Sequence, residues 1–172
     1  MQARAIVSVM ALTALLSACD KPKSAAQQAR DDARAVAMVE AAQHAVPPPM
    51  PIEPQPITAA DIEKNALYGA GCTLVPTSQP GGDPLVMAND RRAVIKIGGK
   101  LVTFAADAGS APLELGVRSH YAGKAQSLFL QKAGGDGTRL GEETFRWDGS
   151  LTVRDAHDQL IYTSTGEIVC GG

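Results

Sequence analysis

Ala93-Val94-Ile95-Lys96-Ile97-Gly98-Gly99-Lys100-Leu101-Val102-Thr103-Phe104-Ala105-Ala106 decides the fold class. Two apolar, alternating runs flank a Gly-Gly pair, and two adjacent glycines supply the positive-φ backbone that joins neighbouring antiparallel strands in a tight hairpin. The same grammar extends in both directions. Strands are expected at Cys72 to Val75, Leu85 to Ala88, Ala93 to Ile97, Leu101 to Ala106, Gly116 to Tyr121 and Ala125 to Lys132. Four more follow at Glu143 to Trp147, Leu151 to Asp155, Leu160 to Ser164 and Glu167 to Cys170. Turns are expected at Ala122-Gly123, Asp148-Gly149 and Thr165-Gly166, with a longer loop at Gly134-Gly135-Asp136-Gly137. About ten short strands with antiparallel turns indicate a mainly β chain built as a single small barrel or sandwich. No internal repeat of fixed period is visible.

Upstream of the strands, Thr58-Ala59-Ala60-Asp61 fits a capping box, with Ile57 and Ile62 placed as a hydrophobic staple. A short helix from Ala59 to Leu67 is therefore expected, ended by Gly69 and Gly71, and the folded domain is expected to span residues 57–172. Before it the composition changes. Ser24 through Ala45 is rich in alanine and glutamine, with Val36, Val39 and Val46 as a thin apolar stripe, which suits an exposed helix capped by Ser24. Pro47-Pro48-Pro49-Met50-Pro51-Ile52-Glu53-Pro54-Gln55-Pro56 then holds six prolines in ten residues, the composition of an extended spacer. Residues 19–56 thus read as a tether, of which the helix contributes about 33 Å and the proline run about 30 Å.

The N-terminus gives the address. Met1-Gln2-Ala3-Arg4 is a short positive region, and Ala5 through Leu16 is an apolar run of about twelve residues, too short for the roughly 20 a spanning helix needs. Residues 1–18 therefore read as a signal peptide. Leu15-Leu16-Ser17-Ala18-Cys19 resembles the lipobox of bacterial lipoproteins. The resemblance implies a diacylglyceryl group on the Cys19 thiol, cleavage before Cys19, and acylation of the new N-terminus, with palmitate as an expected chain. Two or three acyl chains exceed what stable anchoring requires. Asp20, directly after the cysteine, resembles the signal that in enteric bacteria keeps lipoproteins in the inner membrane. A periplasm-facing, inner-membrane placement is the expectation.

Removing Cys19 from the thiols leaves Cys72 and Cys170, an even count in an oxidising compartment, on the first and last expected strands. A structural disulfide is expected. It would close a loop of about 100 residues, which in the chain-entropy model stabilises by about 4.7 kcal/mol. A redox role for either thiol lacks a C-x-x-C spacing or an adjacent basic partner.

Charge narrows the function classes. Removing residues 1–18 takes only Arg4 from 16 basic residues, leaving 15 against 18 acidic ones. Without a basic stripe or stacked aromatics, nucleic-acid binding is not expected. Arg91-Arg92 is the one basic pair and reads as solvated residues leading into a strand. Of the histidines, His44 lies in the tether, His120 on an expected strand and His157 in the turn Asp155-Ala156-His157-Asp158. No H-x-x-x-H, H-E-x-x-H, C-x-x-C, G-x-S-x-G or Walker pattern occurs. Asp155, His157 and Asp158 have the chemistry to hold a cation or move a proton, and are also what a polar hairpin turn contains. Glu142 and Glu143, if on a strand, would face opposite sides. Trp147 and Tyr162 suit a core or barrel rim.

The span from Ile57 to Cys170, with Gly69-Ala70-Gly71-Cys72, Val94-Ile95-Lys96-Ile97-Gly98-Gly99-Lys100-Leu101-Val102 and Ile168-Val169-Cys170-Gly171, resembles small, uncharacterised proteobacterial lipoproteins, a likeness that implies no mechanism. Membrane-bound lysozyme inhibitors are similar in size, lipidation, β content and disulfide use. Their paired motifs, a Ser-Gly segment leading to Tyr and a later Thr-Lys-Gly, are absent. The functional expectation is a membrane-anchored, non-enzymatic binding or envelope-maintenance module, with an envelope protein or the cell wall as the partner. A periplasmic hydrolase or metal-assisted enzyme at His157, a lysozyme-inhibitor-like protein and a plain spacer are the alternatives. Cys19, Cys72 and Cys170 are the only site residues assigned; no catalytic residue, cofactor or metal is expected.

Overall fold

The computed structural model describes residues 23–172. The expected signal peptide, Cys19 and Asp20 lie outside the described residues. The chain divides into two units, Met1–Val46 and Pro47–Gly172. In the first, α1 (Ala25–Gln43) starts in a capping box, with Ser24 Oγ accepting from the Gln27 amide at 3.2 Å. All of its residues are exposed, so its alanine content and its cap hold it rather than a buried face. Among the described residues no helix is long and apolar enough to cross a membrane.

The second unit is a closed antiparallel barrel. Its elements are β1 (Pro54–Gln55), α2 (Ala59–Asn65), β2 (Gly71–Pro76), β3 (Val86–Ala88), β4 (Arg92–Ile97) and β5 (Lys100–Ala106). A 3-10 turn at Glu114–Gly116 precedes β6 (His120–Ala122), β7 (Gln126–Lys132), β8 (Thr138–Arg139), β9 (Phe145–Asp155) and β10 (Leu160–Gly171). Eight strands run β2-β3-β4-β5-β6-β7-β9-β10, each antiparallel to its neighbours, and β10 returns to β2. Every wall strand pairs with a neighbour on both sides, which limits the open edge that is the usual hazard of a β domain, although residues 100–104 of β5 pair with β4 alone. The hairpin expected at Gly98-Gly99 joins β4 to β5, with both glycines at positive φ.

Two expected turns are absent. Asp148-Gly149 and Thr165-Gly166 lie inside long continuous strands, and Gly149 pairs directly with Gly166 across the β9–β10 ladder. A Cβ on Gly166 would stand 2.1 Å from Val75 O, and one on Gly149 would stand 2.3 Å from Ile168 Cδ1 and 2.5 Å from Gln131 O. These glycines therefore permit close approach of the neighbouring strands rather than reversal of the chain. The strand expected from Gly116 shortens to His120–Ala122, because Glu114–Gly116 turns with Leu115 and Gly116 at positive φ. That expected from Glu143 starts at Phe145, leaving Glu142 and Glu143 exposed in a loop.

The boundary of the folded unit also moves. The proline run expected to be a free spacer is docked on the barrel from Pro47 onward. The Ile52 amide donates to Ile161 O at 3.2 Å, Pro54–Gln55 pair with Ile97 and Lys96 of β4, and Gln55 Oε1 accepts from the Gly99 amide at 2.7 Å. Strand β3 covers only residues 93–95 of β4, and β1 continues the wall beside it. Proline suits such a strap: it holds an extended backbone and gives up a donor that an edge position does not need.

The interior is filled by side chains. Leu74, Ile95, Phe104, Tyr121, Leu128, Leu130, Leu151, Val153 and Ile168 are all fully buried in one cluster that includes Trp147 and both cysteines. Cys72 and Cys170 sit opposite each other on β2 and β10 and form the expected disulfide where the barrel closes. The buried Tyr121 hydroxyl donates to Asn89 O at 2.8 Å and accepts from the Arg118 amide at 2.9 Å; burial pushes its pKa up. At the disulfide end, Lys132 Nζ lies 4.1 Å from the Trp147 ring centroid and 2.8 Å from Glu114, and Trp147 Nε1 donates to Gly135 O in the glycine loop.

Candidate functional site: a groove on the outer wall

The outward side chains of β4 alternate with its core residues, so Arg92, Val94 and Lys96 form one row on the outside of the barrel. Each meets a different fate. Helix α2 starts in the predicted capping box: Asp61 Oδ2 accepts from the Thr58 amide at 2.9 Å and from its hydroxyl at 2.8 Å, while Thr58 Oγ1 accepts from the Asp61 amide. The same Asp61 oxygen receives Lys96 Nζ at 2.7 Å. Lys96 first, then the Thr58 donors, lower the Asp61 pKa to about 2. This ion pair, together with Ile57, fully buried and bonded through its amide to Pro84 O, ties the α2 segment to the strands. Val94 is only 3% exposed although it faces outward. Arg92 is exposed and, among the described residues, its side chain makes neither ion pair nor hydrogen bond.

Beyond α2, Ala66 takes the left-handed conformation and the Leu67 amide closes the helix on Ile62 O at 3.0 Å. The helix thus ends at Asn65 rather than at the expected Leu67. Leu67 through Gly71 then return to β2, passing alongside the outer wall. Between this segment and the wall lies a groove of about 260 Å³. Its apolar lining includes Leu67, Met87, Val94 and Val169; Tyr68, Thr73, Asn89 and Arg92 add the polar groups, and no Asp or Glu takes part. Tyr68 is 69% exposed. Asn89 Oδ1 accepts from the amides of Arg91 and Arg92, which fixes where β4 starts and hence where Arg92 points from.

A second cluster was not legible as such. Asp107 Oδ2 lies 2.9 Å from His120 Nδ1, and the imidazole stacks on Phe129 at 4.6 Å. His120 and then the Gly109 amide hold the Asp107 carboxyl below its usual range. Ser110 completes a Ser, His and Asp set, but its hydroxyl donates to Asp107 O and accepts from the His120 amide. It serves the loop backbone, so the set clasps the β5–β6 connection rather than forming a nucleophile and base pair. At the other expected cluster, Asp155 Oδ1 accepts from the amides of His157 and Gln159, and Asp158 sits at positive φ, which is turn chemistry. Among the described residues no three His, Cys, Asp or Glu side chains gather at metal-binding distances. Arg92 was visible in the sequence only as half of a basic pair, and Tyr68 not at all, because nothing local says that a helix return lies over β4. Comparison with protein-family models, with curated proteins and with solved structures finds no match to this chain.

Proposed function

We propose that this protein is a lipid-anchored envelope module that works by binding rather than catalysis, with the groove beside Tyr68 and Arg92 as its contact surface. The observation that carries this reading is where open space is found. The barrel interior is taken up by buried Leu, Val, Ile, Phe and Tyr side chains, whereas the outer wall holds a recess with an exposed tyrosine and an arginine whose side chain has no partner among the described residues. Tyr and Arg are the residue types that carry most binding energy at interfaces. A tether ending in lipidated Cys19 would hold this surface near a periplasm-facing membrane and raise its effective concentration there. Asp20 favours the inner membrane, and a protein or the cell wall is the expected partner class. With the proline strap docked, the tether keeps the length of α1, 19 residues or about 28 Å, without the proline run's contribution.

Two measurements test the reading together. Cys19→Ala should release the protein from the membrane fraction and remove the diacylglyceryl mass; unchanged fractionation would overturn the anchor. A photo-crosslinking residue at Tyr68 should give discrete adducts in intact cells, whereas one at exposed Lys100 on the β4–β5 hairpin should not. Equal yields at the two positions, or none at Tyr68, would overturn the assignment of the groove.

A further inference from the structure

The ligand of this groove can be narrowed by its charge and size, on the reading that the groove is the contact surface. We propose that it captures the C-terminal residue of a peptide, with the free carboxylate on the Arg92 guanidinium and the residue's side chain on the apolar floor of Met87, Val94 and Val169.

Charge is the first argument. Arg92 is the only charged residue in the lining, and two positions along the same face Lys96 is satisfied by Asp61 at 2.7 Å. The groove therefore offers one positive charge that no described residue neutralises. A planar guanidinium matches a carboxylate in a two-bond fork. One uncompensated charge fits a carboxylate. A phosphate, with its greater charge and additional acceptor oxygens, calls for further cations, and the lining supplies none.

Size is the second. A volume of about 260 Å³ lies below the roughly 300–1,000 Å³ of pockets that enclose drug-sized ligands. It suits one or two residues of an extended chain. Third, the amides of Gly69 and Ala70 on the groove's rim make no hydrogen bond among the described residues, which leaves donors for the carbonyl groups of an incoming backbone. The exposed Tyr68 ring on the same rim offers an aromatic face to the penultimate residue.

The probe is N-acetyl-Ala-Ala-Leu, added to the full mature chain in detergent micelles and followed by nuclear magnetic resonance. Saturable shifts are expected at the Gly69 and Ala70 amides and at Arg92 Nε–H. The C-terminal amide of the same peptide should bind at least tenfold more weakly, and Arg92→Met should reduce the acid to the level of the amide. Arg92 is exposed, so its replacement should leave the spectrum of the core unchanged; Tyr68→Ala provides an independent lesion on the opposite rim. Equal binding of acid and amide, shifts that map elsewhere, or equal binding of an amidated peptide carrying an internal Asp would each overturn the proposal. The two readings fail separately. Loss of crosslinking at Tyr68 in cells sinks the contact surface, whereas successful crosslinking with no discrimination between acid and amide sinks only the carboxylate assignment.

Discussion

Asp61 does two jobs with one oxygen, capping α2 and pairing with Lys96, and this makes it a residue whose titration acts on the fold. Its folded pKa of about 2 lies below its ordinary value of 3.8, so its contribution is complete above about pH 4 and is lost as the pH falls toward 2. The urea midpoint should therefore decline through that window in the natural chain. Asp61→Asn should start lower at pH 5 and decline less steeply; parallel curves for the two proteins would refute the linkage. Gly166 is a test of another kind. Its added Cβ would meet a backbone carbonyl at 2.1 Å, which cannot move without shifting β2. Gly166→Ala should cost about 1–3 kcal/mol or more by overpacking. Gly134→Ala, in open space, should lie within about 0.5 kcal/mol of the parent. Equilibrium denaturation measures both.

Among the elements, the proline strap is the one whose role changed most. A polyproline spacer and an edge strand share an extended backbone, and ten residues of composition do not separate them. The difference lies in Ile52, half-buried and packed against the core, and in the bonds to Ile161 and Gly99. Hydrogen exchange gives a direct test: the amides of Ile52 and Gly99 should be protected, whereas a free spacer would leave Ile52 exchanging at the rate of an unstructured chain. Ile52→Ala should cost about 1–2 kcal/mol, below the roughly 2–5 kcal/mol of a fully buried Ile→Ala change because the site is only partly buried. The α2 segment shows the opposite case. Its capping box was readable from four residues, and the structure contains each of its hydrogen bonds.

For the molecule as a whole, the disulfide closes the barrel at the seam where the first and last wall strands meet, 98 residues apart in sequence. Such a link acts mainly on the unfolded chain. Replacing Cys72 and Cys170 together by serine should lower stability by about 2–5 kcal/mol, a large part of the 5–15 kcal/mol of a typical domain. Urea unfolding with and without reductant should show the same loss in the parent. An unchanged midpoint on full reduction would mean that the ladder between β2 and β10 holds the seam without it.

The amino-acid sequence by itself determined the β class, the Gly98-Gly99 hairpin, the starts of both helices and the pairing of the two domain cysteines. Each rests on residues adjacent in the chain or on a simple count, where local backbone preference and redox chemistry decide the outcome. The tertiary structure alone decided between barrel and sandwich, turned Gly149 and Gly166 from turn residues into close-approach residues, docked the proline strap, and left Arg92 without a partner among the described residues while giving one to Lys96. These depend on which distant strand or helix lies against a residue. That is set by closure of the whole wall, and no local pattern carries it.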